Sequence, residues 1–125
     1  MRVLFTVPGL TCSTNATYLR GRGRSFYKSE KAHEFQQRVA LFAAQAMRRR
    51  RLIDEPCGYQ VDVYFKNPRA DLSGPIKLLE DALNGVVWKD DNLVKALAWR
   101  KHLDTEIPRI MVEVYTLDPL HSLRD

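Results

Sequence analysis

Apolar side chains recur along the chain with two periods, and each period predicts one kind of element. In segments 59–66 and 109–117 apolar and polar residues alternate, as in strands with one buried face. Segment 2–7 is also predicted to be a strand, and because Leu4 lies opposite Val3, Phe5 and Val7, both of its faces could be covered. A further strand with a basic edge is expected over 93–101. Segment 29–50 has helical spacing instead, with Phe35, Val39, Phe42, Ala43 and Ala46 on one face. These patterns predict four strands and one long helix.

A second helix is predicted within 71–94, which reads DLSGPIKLLEDALNGVVWKDDNLV. Ser73 and Pro75 suit a first turn, because serine can accept from free backbone N–H groups and proline lacks an N–H that would need a partner. The apolar stripe consists of Ile76, Leu79, Ala82 and Leu83. Gly85 suits the left-handed conformation that ends many helices. We therefore predict a helix over 74–84.

The acidic residues on the two sides of this helix can be brought together. The helix is about 16 Å long at roughly 1.5 Å per residue, and residues 85–90 could reach back about 20 Å if they were extended. Asp90 and Asp91 would then lie at the level of Asp71. Lys77 would point to the same place, because helical side chains lean toward the N terminus. Carboxylate oxygens suit Mg²⁺, and a lysine beside them can bind a phosphate.

This stretch resembles the RusA family of Holliday junction resolvases, whose motif has acidic residues before such a helix, a lysine inside it and an aspartate pair after it. The matching residues are Asp71, Leu72, Lys77, Asp81, Ala82, Leu83, Trp88, Asp90 and Asp91. Asn15 and Arg22–Arg24 match the N-terminal segment of the family, which is weaker evidence. The resemblance extends over most of the chain.

The resemblance implies a small α/β (α+β) domain, a mixed sheet with two principal helices packed on it, that forms a homodimer. It implies a crossover junction endodeoxyribonuclease that resolves four-way DNA by paired symmetric nicks during recombination and repair. The implied catalytic residues are Asp71, Lys77 and Asp91. The implied ligands of Mg²⁺, for which Mn²⁺ could substitute, are Asp71, Asp90 and Asp91. No organic cofactor is implied.

One position departs from the family pattern. Ser73 stands where the family has a second metal-binding aspartate, and Gly74 stands where it has an asparagine. A serine hydroxyl can ligate a cation weakly or through water, but it supplies no charge. The alternative function is therefore a catalytically weak or inactive protein that only binds branched DNA. A third possibility is a phosphate-binding regulatory protein, whose binding would depend only weakly on salt.

Positive charge bears on the choice of partner. The net charge is +5 and the pI about 9.4, which favours a polyanionic partner without proving one. A long polar loop is predicted over 10–28, and it contains Arg20, Arg22 and Arg24 alternating with glycines between aromatic residues. By itself such a loop fits DNA phosphates and a solvated hairpin equally well. Beside a candidate nuclease site, DNA contacts are the better interpretation, and the predicted contacts are Arg20, Arg22, Arg24, Lys28 and Arg69.

A second basic run, Arg48–Arg51, comes at the end of the long helix. The helix dipole favours positive charge there, which explains the run slightly better than a second phosphate contact does. The two cysteines, Cys12 and Cys57, have no metal-site spacing and are predicted to be plain thiols. The three histidines, His33, His102 and His121, are predicted to lie at the surface without identifiable partners.

Length and hydropathy limit the architecture. A chain of 125 residues is expected to form one domain, residues 1–125, around a single core. No apolar run approaches the roughly 18 residues of a membrane span, so no membrane contact is expected. Residues 1–10 are too short and too interrupted for a signal peptide, which predicts a cytoplasmic protein. With the resemblance, this means a bacterial or phage-infected cell.

Overall fold

The structure is a computed structural model, and it describes residues 1–9, 18–20, 26–28, 30–65, 73–103 and 106–117. The elements in these ranges are β1 (Arg2–Pro8), β2 (Tyr18–Arg20), β3 (Phe26–Lys28), α1 (Glu30–Met47), β4 (Cys57–Phe65), α2 (Ser73–Leu83), β5 (Val94–Leu103) and β6 (Arg109–Thr116). A short 3₁₀ turn, Asp91–Leu93, precedes β5.

Four strands form one mixed sheet in the order β1-β6-β4-β5. β6 is antiparallel to both of its neighbours, whereas β4 and β5 are parallel. Parallel neighbours need a crossover connection, and α2 lies within the one that joins β4 to β5. This confirms the predicted α+β fold with a mixed sheet and two principal helices. The prediction of a loop over 10–28 was incomplete, because β2 and β3 lie within this segment and pair as a separate antiparallel ribbon.

Alternation along the strands buries one face of the sheet under both helices. The inward side chains are Val3, Phe5, Val7, Tyr59, Val61, Val63, Phe65, Ile110, Val112 and Val114. Each such side chain contributes roughly 1.5–3 kcal/mol when it leaves water. The opposite face is open, since Leu4 is 58% exposed and Met111 is 42% exposed.

The helices differ in detail from the predicted stripes. In α1 the buried residues are Ala32, Phe35, Val39, Ala43 and Met47, with Phe42 and Ala46 at the margin of the core. In α2, Leu78 is fully buried, whereas Ile76 is only partly so. The reason is that α2 packs on α1 as well as on the sheet, and Gln36 Nε2 of α1 donates to the Leu78 carbonyl at 3.0 Å. The buried arc of α2 is therefore wider than a single stripe.

The end of α1 does not follow the prediction for the basic run. The helix ends at Met47, and its last turn contains no basic residue. Arg48 and Arg49 then adopt left-handed backbone conformations, with φ of 49° and 66°. Such a conformation costs a non-glycine residue roughly 1–2 kcal/mol. The run therefore follows the helix end and does not lie within its last turn, and the dipole explanation stays a prediction.

The described residues test the thiol and membrane predictions for part of the chain. Cys57 is a buried free cysteine, and burial followed by the nearby charge of Glu55 raises its pKa to about 11, so it stays a thiol. Cys12 lies outside the described residues. None of the helices in the described ranges is long and apolar enough to cross a lipid bilayer.

Candidate active site

Helix α2 presents the lysine that the sequence singled out. The helix begins at Ser73, one residue before the predicted start, and ends at Leu83. Gly85 has a φ of 75°, which confirms the predicted left-handed position. Leu79 and its apolar neighbours are buried on one side of the helix, while the Lys77 side chain on another side is 66% exposed. Burial of the apolar side therefore holds the Lys77 ammonium toward solvent.

The segment after α2 is a tight turn, which corrects the expectation that it could run back extended. The backbone N–H groups of Val86 and Val87 donate to the Leu83 carbonyl at 3.1 and 3.0 Å. The N–H of Gly85 donates to the backbone carbonyl of Trp88 at 2.8 Å. Trp88 is fully buried, and its Nε1 donates to Asn84 Oδ1 at 2.6 Å. Burying this indole keeps the chain close to the C-terminal end of the helix.

Backbone hydrogen bonds to Ile53 hold the segment between this turn and Asp90 in place. Ile53 is buried, its N–H donates to the Val87 carbonyl at 2.8 Å, and its own carbonyl accepts from Lys89 at 3.0 Å. The Lys89 ammonium also pairs with Asp54 at 3.0 Å. The residue that precedes Asp90 is thus held by backbone and side-chain bonds at once.

Asp90 and Asp91 occupy different positions in the 3₁₀ turn. Asp90 is its extended N-terminal cap, and Asp90 Oδ1 accepts from the N–H of Asn92 at 2.9 Å. Asp91 is the first residue of the turn and is partly exposed. The Asp90 carboxylate thus stabilises the start of the 3₁₀ turn, and the backbone of Asp91 is part of that turn.

Lys77 lies within electrostatic reach of Asp91. Its Nζ is 3.4 Å from Asp81 Oδ1, one turn further along α2. That hydrogen bond is the main cause of a raised Lys77 pKa, and the charges of Asp91 and Glu80 add to it. The lysine is therefore protonated throughout the neutral range. Asp81 is one of the residues that matched the family motif in the sequence, and its i,i+4 spacing from Lys77 explains the pair.

A polar network centred on a buried tyrosine beneath α2 was not predicted from the sequence. Tyr59 of β4 is fully buried, and its hydroxyl donates to Glu80 Oε2 at 2.5 Å. The same hydroxyl accepts from Trp99 Nε1 of β5 at 3.1 Å. Burial, followed by the hydrogen bond to Glu80, raises the Tyr59 pKa. The only signal available in the sequence was a tyrosine at an inward position of a strand.

Comparison with known families decides the class. The profile of the endodeoxyribonuclease RusA family matches residues 8–115 of the 125-residue chain, a range that includes both helices and the acidic segments on either side of α2. The chain belongs to the RusA family. It is therefore an endodeoxyribonuclease of the crossover junction type. No curated protein matches the chain.

Family membership also bears on DNA and metal. RusA-family proteins bind branched DNA junctions, and their nucleases generally depend on a divalent metal. Within the described ranges no three or more His, Cys, Asp or Glu residues are grouped so as to hold a metal ion. Asp90 and Asp91 nevertheless supply carboxylate oxygens, the donor type that hard cations take. The oxygen ligands that Asp90 and Asp91 offer are therefore of the type that binds a divalent cation.

The described residues bring together only part of the site predicted for this RusA-family chain. Lys77, Asp90 and Asp91 lie on neighbouring elements, as described above. The residues that fall outside the description are Asp71, Arg22, Arg24 and Arg69. The side chains of Ser73, Arg20 and Lys28 fall outside it as well. The roles assigned to all of these residues stay predictions.

Proposed function

We propose that this RusA-family nuclease resolves four-way DNA junctions by paired, symmetric, Mg²⁺-dependent nicks. The supporting observation is the electrostatic proximity of Lys77 and Asp91, which come from two separate elements. Buried anchors hold both elements, since Tyr59 contacts α2 and Trp88 closes the turn before Asp90. An exposed ammonium near a partly exposed carboxylate, each held by buried residues, suits phosphodiester chemistry.

Asp71 and Asp91, assisted by Asp90, are the residues that would hold Mg²⁺. When bound, the cation supplies Lewis-acid polarisation of the phosphate and lowers the pKa of a coordinated water. Asp90 directs one carboxylate oxygen to the Asn92 N–H, so its contribution to a cation comes through the other oxygen. Asp91 follows Asp90, the cap of the 3₁₀ turn, and its carboxylate has no such capping bond to make. We therefore propose Asp91 as the stronger ligand of the two.

Lys77 would stabilise the negative charge that develops on the phosphate during cleavage. Asp81 holds the ammonium 3.4 Å away, so Lys77 is charged before DNA arrives. A phosphate oxygen can then share that ammonium without a proton transfer. Preorganised positive charge of this kind acts on the transition state because no reorientation is needed during the reaction.

The proposed DNA contacts of the N-terminal segment are Arg20, Arg22, Arg24 and Lys28, together with Arg69. The paired strands β2 and β3 support this proposal, because Tyr18 pairs with Lys28 and Arg20 pairs with Phe26. Arg22 and Arg24 come between the two strands in sequence. Guanidinium groups match phosphate oxygens in a bidentate geometry.

A homodimer is part of the proposal. Two symmetric cuts in a junction need two sites related by a two-fold axis, and a dimer of this chain would provide them. The cellular setting that we propose is the cytoplasm of a bacterial or phage-infected cell. There the protein would act in DNA recombination and repair.

Cleavage of a synthetic four-way junction tests the proposal against a linear duplex of the same sequence, with Mg²⁺ or with EDTA. We expect symmetric nicks in the junction only, and only with Mg²⁺. Asp71→Asn and Lys77→Gln should each lower the rate on the order of 10²- to 10³-fold, the usual cost of removing one charge-stabilising group. Lys31→Gln, which removes an equal charge from the exposed first turn of α1, is the matched control.

The residue Ser73 favours one competing function, a junction-binding protein that does not cut. Tight junction binding without cleavage by the wild type, together with cleavage by Ser73→Asp, would establish that alternative. Equal cutting of junction and linear duplex would contradict both functions. Binding that hardly changes with salt would instead favour a phosphate-binding regulatory protein.

A further inference from the structure

Four consecutive arginines follow helix α1 and take no part in the site described above. We propose that this arginine cluster, Arg48–Arg51, binds the phosphate backbone of a junction arm several base pairs from the point of cleavage. The proposal rests on the proposed junction-cleaving function and adds a second region of DNA contact to it.

The cluster is exposed and largely without protein partners. All four arginines are exposed. Arg50 donates through Nη1 to the Arg2 carbonyl at 3.1 Å, which ties the cluster to the start of β1. Arg48, Arg49 and Arg51 form no ion pair with any acidic group in the described part of the chain. Their guanidinium groups therefore remain available for an external anion.

Ending the helix does not account for these residues. The cluster begins after Met47, the last residue of α1, so it contributes no basic side chain to the last turn. Arg48 and Arg49 adopt positive φ, a conformation in which glycine would avoid strain. A residue chosen only to end the helix would not need a guanidinium group there. The strain points to a use for the side chains.

The fold places the cluster close to the candidate active site. Arg51 is two residues from Ile53, whose carbonyl accepts from the N–H of Lys89 at 3.0 Å, and Lys89 is two residues from Asp91. At no more than ~3.6 Å per residue and about 5 Å between hydrogen-bonded backbones, the Cα atoms of Arg51 and Asp91 are at most about 20 Å apart. That length equals roughly six base pairs at ~3.4 Å each.

The charges beside the cluster leave it positive. Of the two acidic residues that directly follow it in sequence, Asp54 is already paired with Lys89 at 3.0 Å, and the other is Glu55. Guanidinium groups match phosphate oxygens in a bidentate geometry. A duplex arm that lies across the site presents such phosphates along its whole length, which makes the DNA backbone the partner that fits.

Binding of junctions tests the proposal without depending on cleavage. Affinities would be measured in EDTA over a range of salt for wild type, R48Q/R49Q and the control K31Q/K101Q, which removes the same charge from two other exposed positions. A second junction would carry neutral methylphosphonates roughly four to eight base pairs from the cleavage point, the distance that the cluster can reach.

We expect R48Q/R49Q to bind more weakly, with a slope of log affinity against log salt that is shallower by about 2. Neutralising those phosphates should weaken wild type and K31Q/K101Q, but it should weaken R48Q/R49Q less, because two of the four arginines that would contact them are already replaced. If R48Q/R49Q fails to fold, R51Q, at a position without positive φ, should lower the slope by about 1.

Two results would overturn the inference while leaving the proposed function intact. One is a wild-type salt slope and wild-type methylphosphonate sensitivity in R48Q/R49Q. The other is a change in melting temperature with unchanged DNA binding, which would mean that the arginines act only in the fold. Failure of the wild type to bind any junction would instead overturn the proposed function, and the inference with it.

Discussion

Strands β4 and β5 carry one polar network on each face of the sheet, and the two networks differ in their surroundings. The network under helix α2 consists of Tyr59, Glu80 and Trp99. The network on the open face consists of Asp62, Arg100 and His102. Tyr59 is fully buried, whereas the Arg100 side chain is 58% exposed. Similar chemistry thus occurs on the same two strands, once around a fully buried hydroxyl and once around an exposed guanidinium group.

This difference in burial indicates which of the two networks holds the candidate site in place. Water can replace a partner that is lost on the open face, and exposed ion pairs contribute only about 0–1 kcal/mol. A buried group that loses its partner keeps the cost of leaving water, roughly 1–3 kcal/mol. Because Glu80 belongs to α2, the buried network connects the strands to the helix that carries Lys77.

The open face is nevertheless ordered. Asp62 accepts from Arg100 Nε at 2.8 Å and lies 2.7 Å from His102 Nε2, so the prediction that His102 has no partner was wrong. Tyr64 stacks on His102 with ring centroids 4.6 Å apart, and the Arg109 guanidinium lies 3.7 Å from the Tyr64 ring centroid. His33 is exposed as predicted, and His121 lies outside the described residues.

The largest effect is expected from apolar truncation on the covered face. Leu79→Ala should lower the free energy of unfolding by about 2–5 kcal/mol, because it leaves a cavity between α2 and the core. Leu4→Ala on the open face should lower it by less than ~0.5 kcal/mol. Urea unfolding of both variants measures the two values. Equal losses would mean that the open face is covered in solution.

A smaller effect is expected from Tyr59→Phe, which leaves Glu80 and Trp99 without their shared hydroxyl. The loss should be about 1–3 kcal/mol at neutral pH, and junction cleavage should fall because α2 is held less firmly. Leu4→Ala, which touches neither network, should retain cleavage and serves as the control.

The Tyr59 network also predicts a dependence of stability on alkaline pH. The Tyr59 pKa is raised in the folded protein, so this contribution is complete below the ordinary tyrosine pKa of about 10 and is lost as pH rises above it. Unfolding measured from neutral pH to about pH 11 should therefore show a steeper decline for wild type than for Tyr59→Phe. Parallel curves would mean that the hydroxyl is not buried in solution.

The smallest effect is expected from Asp62→Asn, at most about 1 kcal/mol near neutral pH. Partial burial raises the Asp62 pKa, but hydrogen bonds from Arg100, His102 and Gln60 outweigh it and lower the pKa to about 2. A depressed pKa contributes stability above the unfolded value near pH 4, and that stability is lost as pH falls toward 2.

Acid unfolding of wild type and Asp62→Asn measures that contribution. The stability difference between the two proteins should be constant above about pH 5 and should shrink between about pH 4 and 2. A difference that instead grew below pH 4 would contradict the assigned hydrogen bonds. Cleavage of junctions by Asp62→Asn at neutral pH should match wild type, because this face lies away from α2.

The sequence by itself determined the elements and the family. The alternation in β1, β4 and β6 and the helical spacing in α1 and α2 are local patterns, and burial of one face follows directly from them. The motif around Lys77 was equally local, and the family match over residues 8–115 confirms the family that it indicated. The assigned roles of Asp71, Lys77, Asp90 and Asp91 stay predictions.

Only the tertiary structure decided which distant residues meet. Burial of Trp88 folds the segment after α2 into a turn, although its sequence would also allow an extended return. Tyr59, Glu80 and Trp99 are far apart in sequence, and they share one hydroxyl because α2 lies over β4 and β5 pairs with β4. Periodicity specifies which side of an element is buried. The packing of whole elements specifies what that side touches, because the partner comes from elsewhere in the chain.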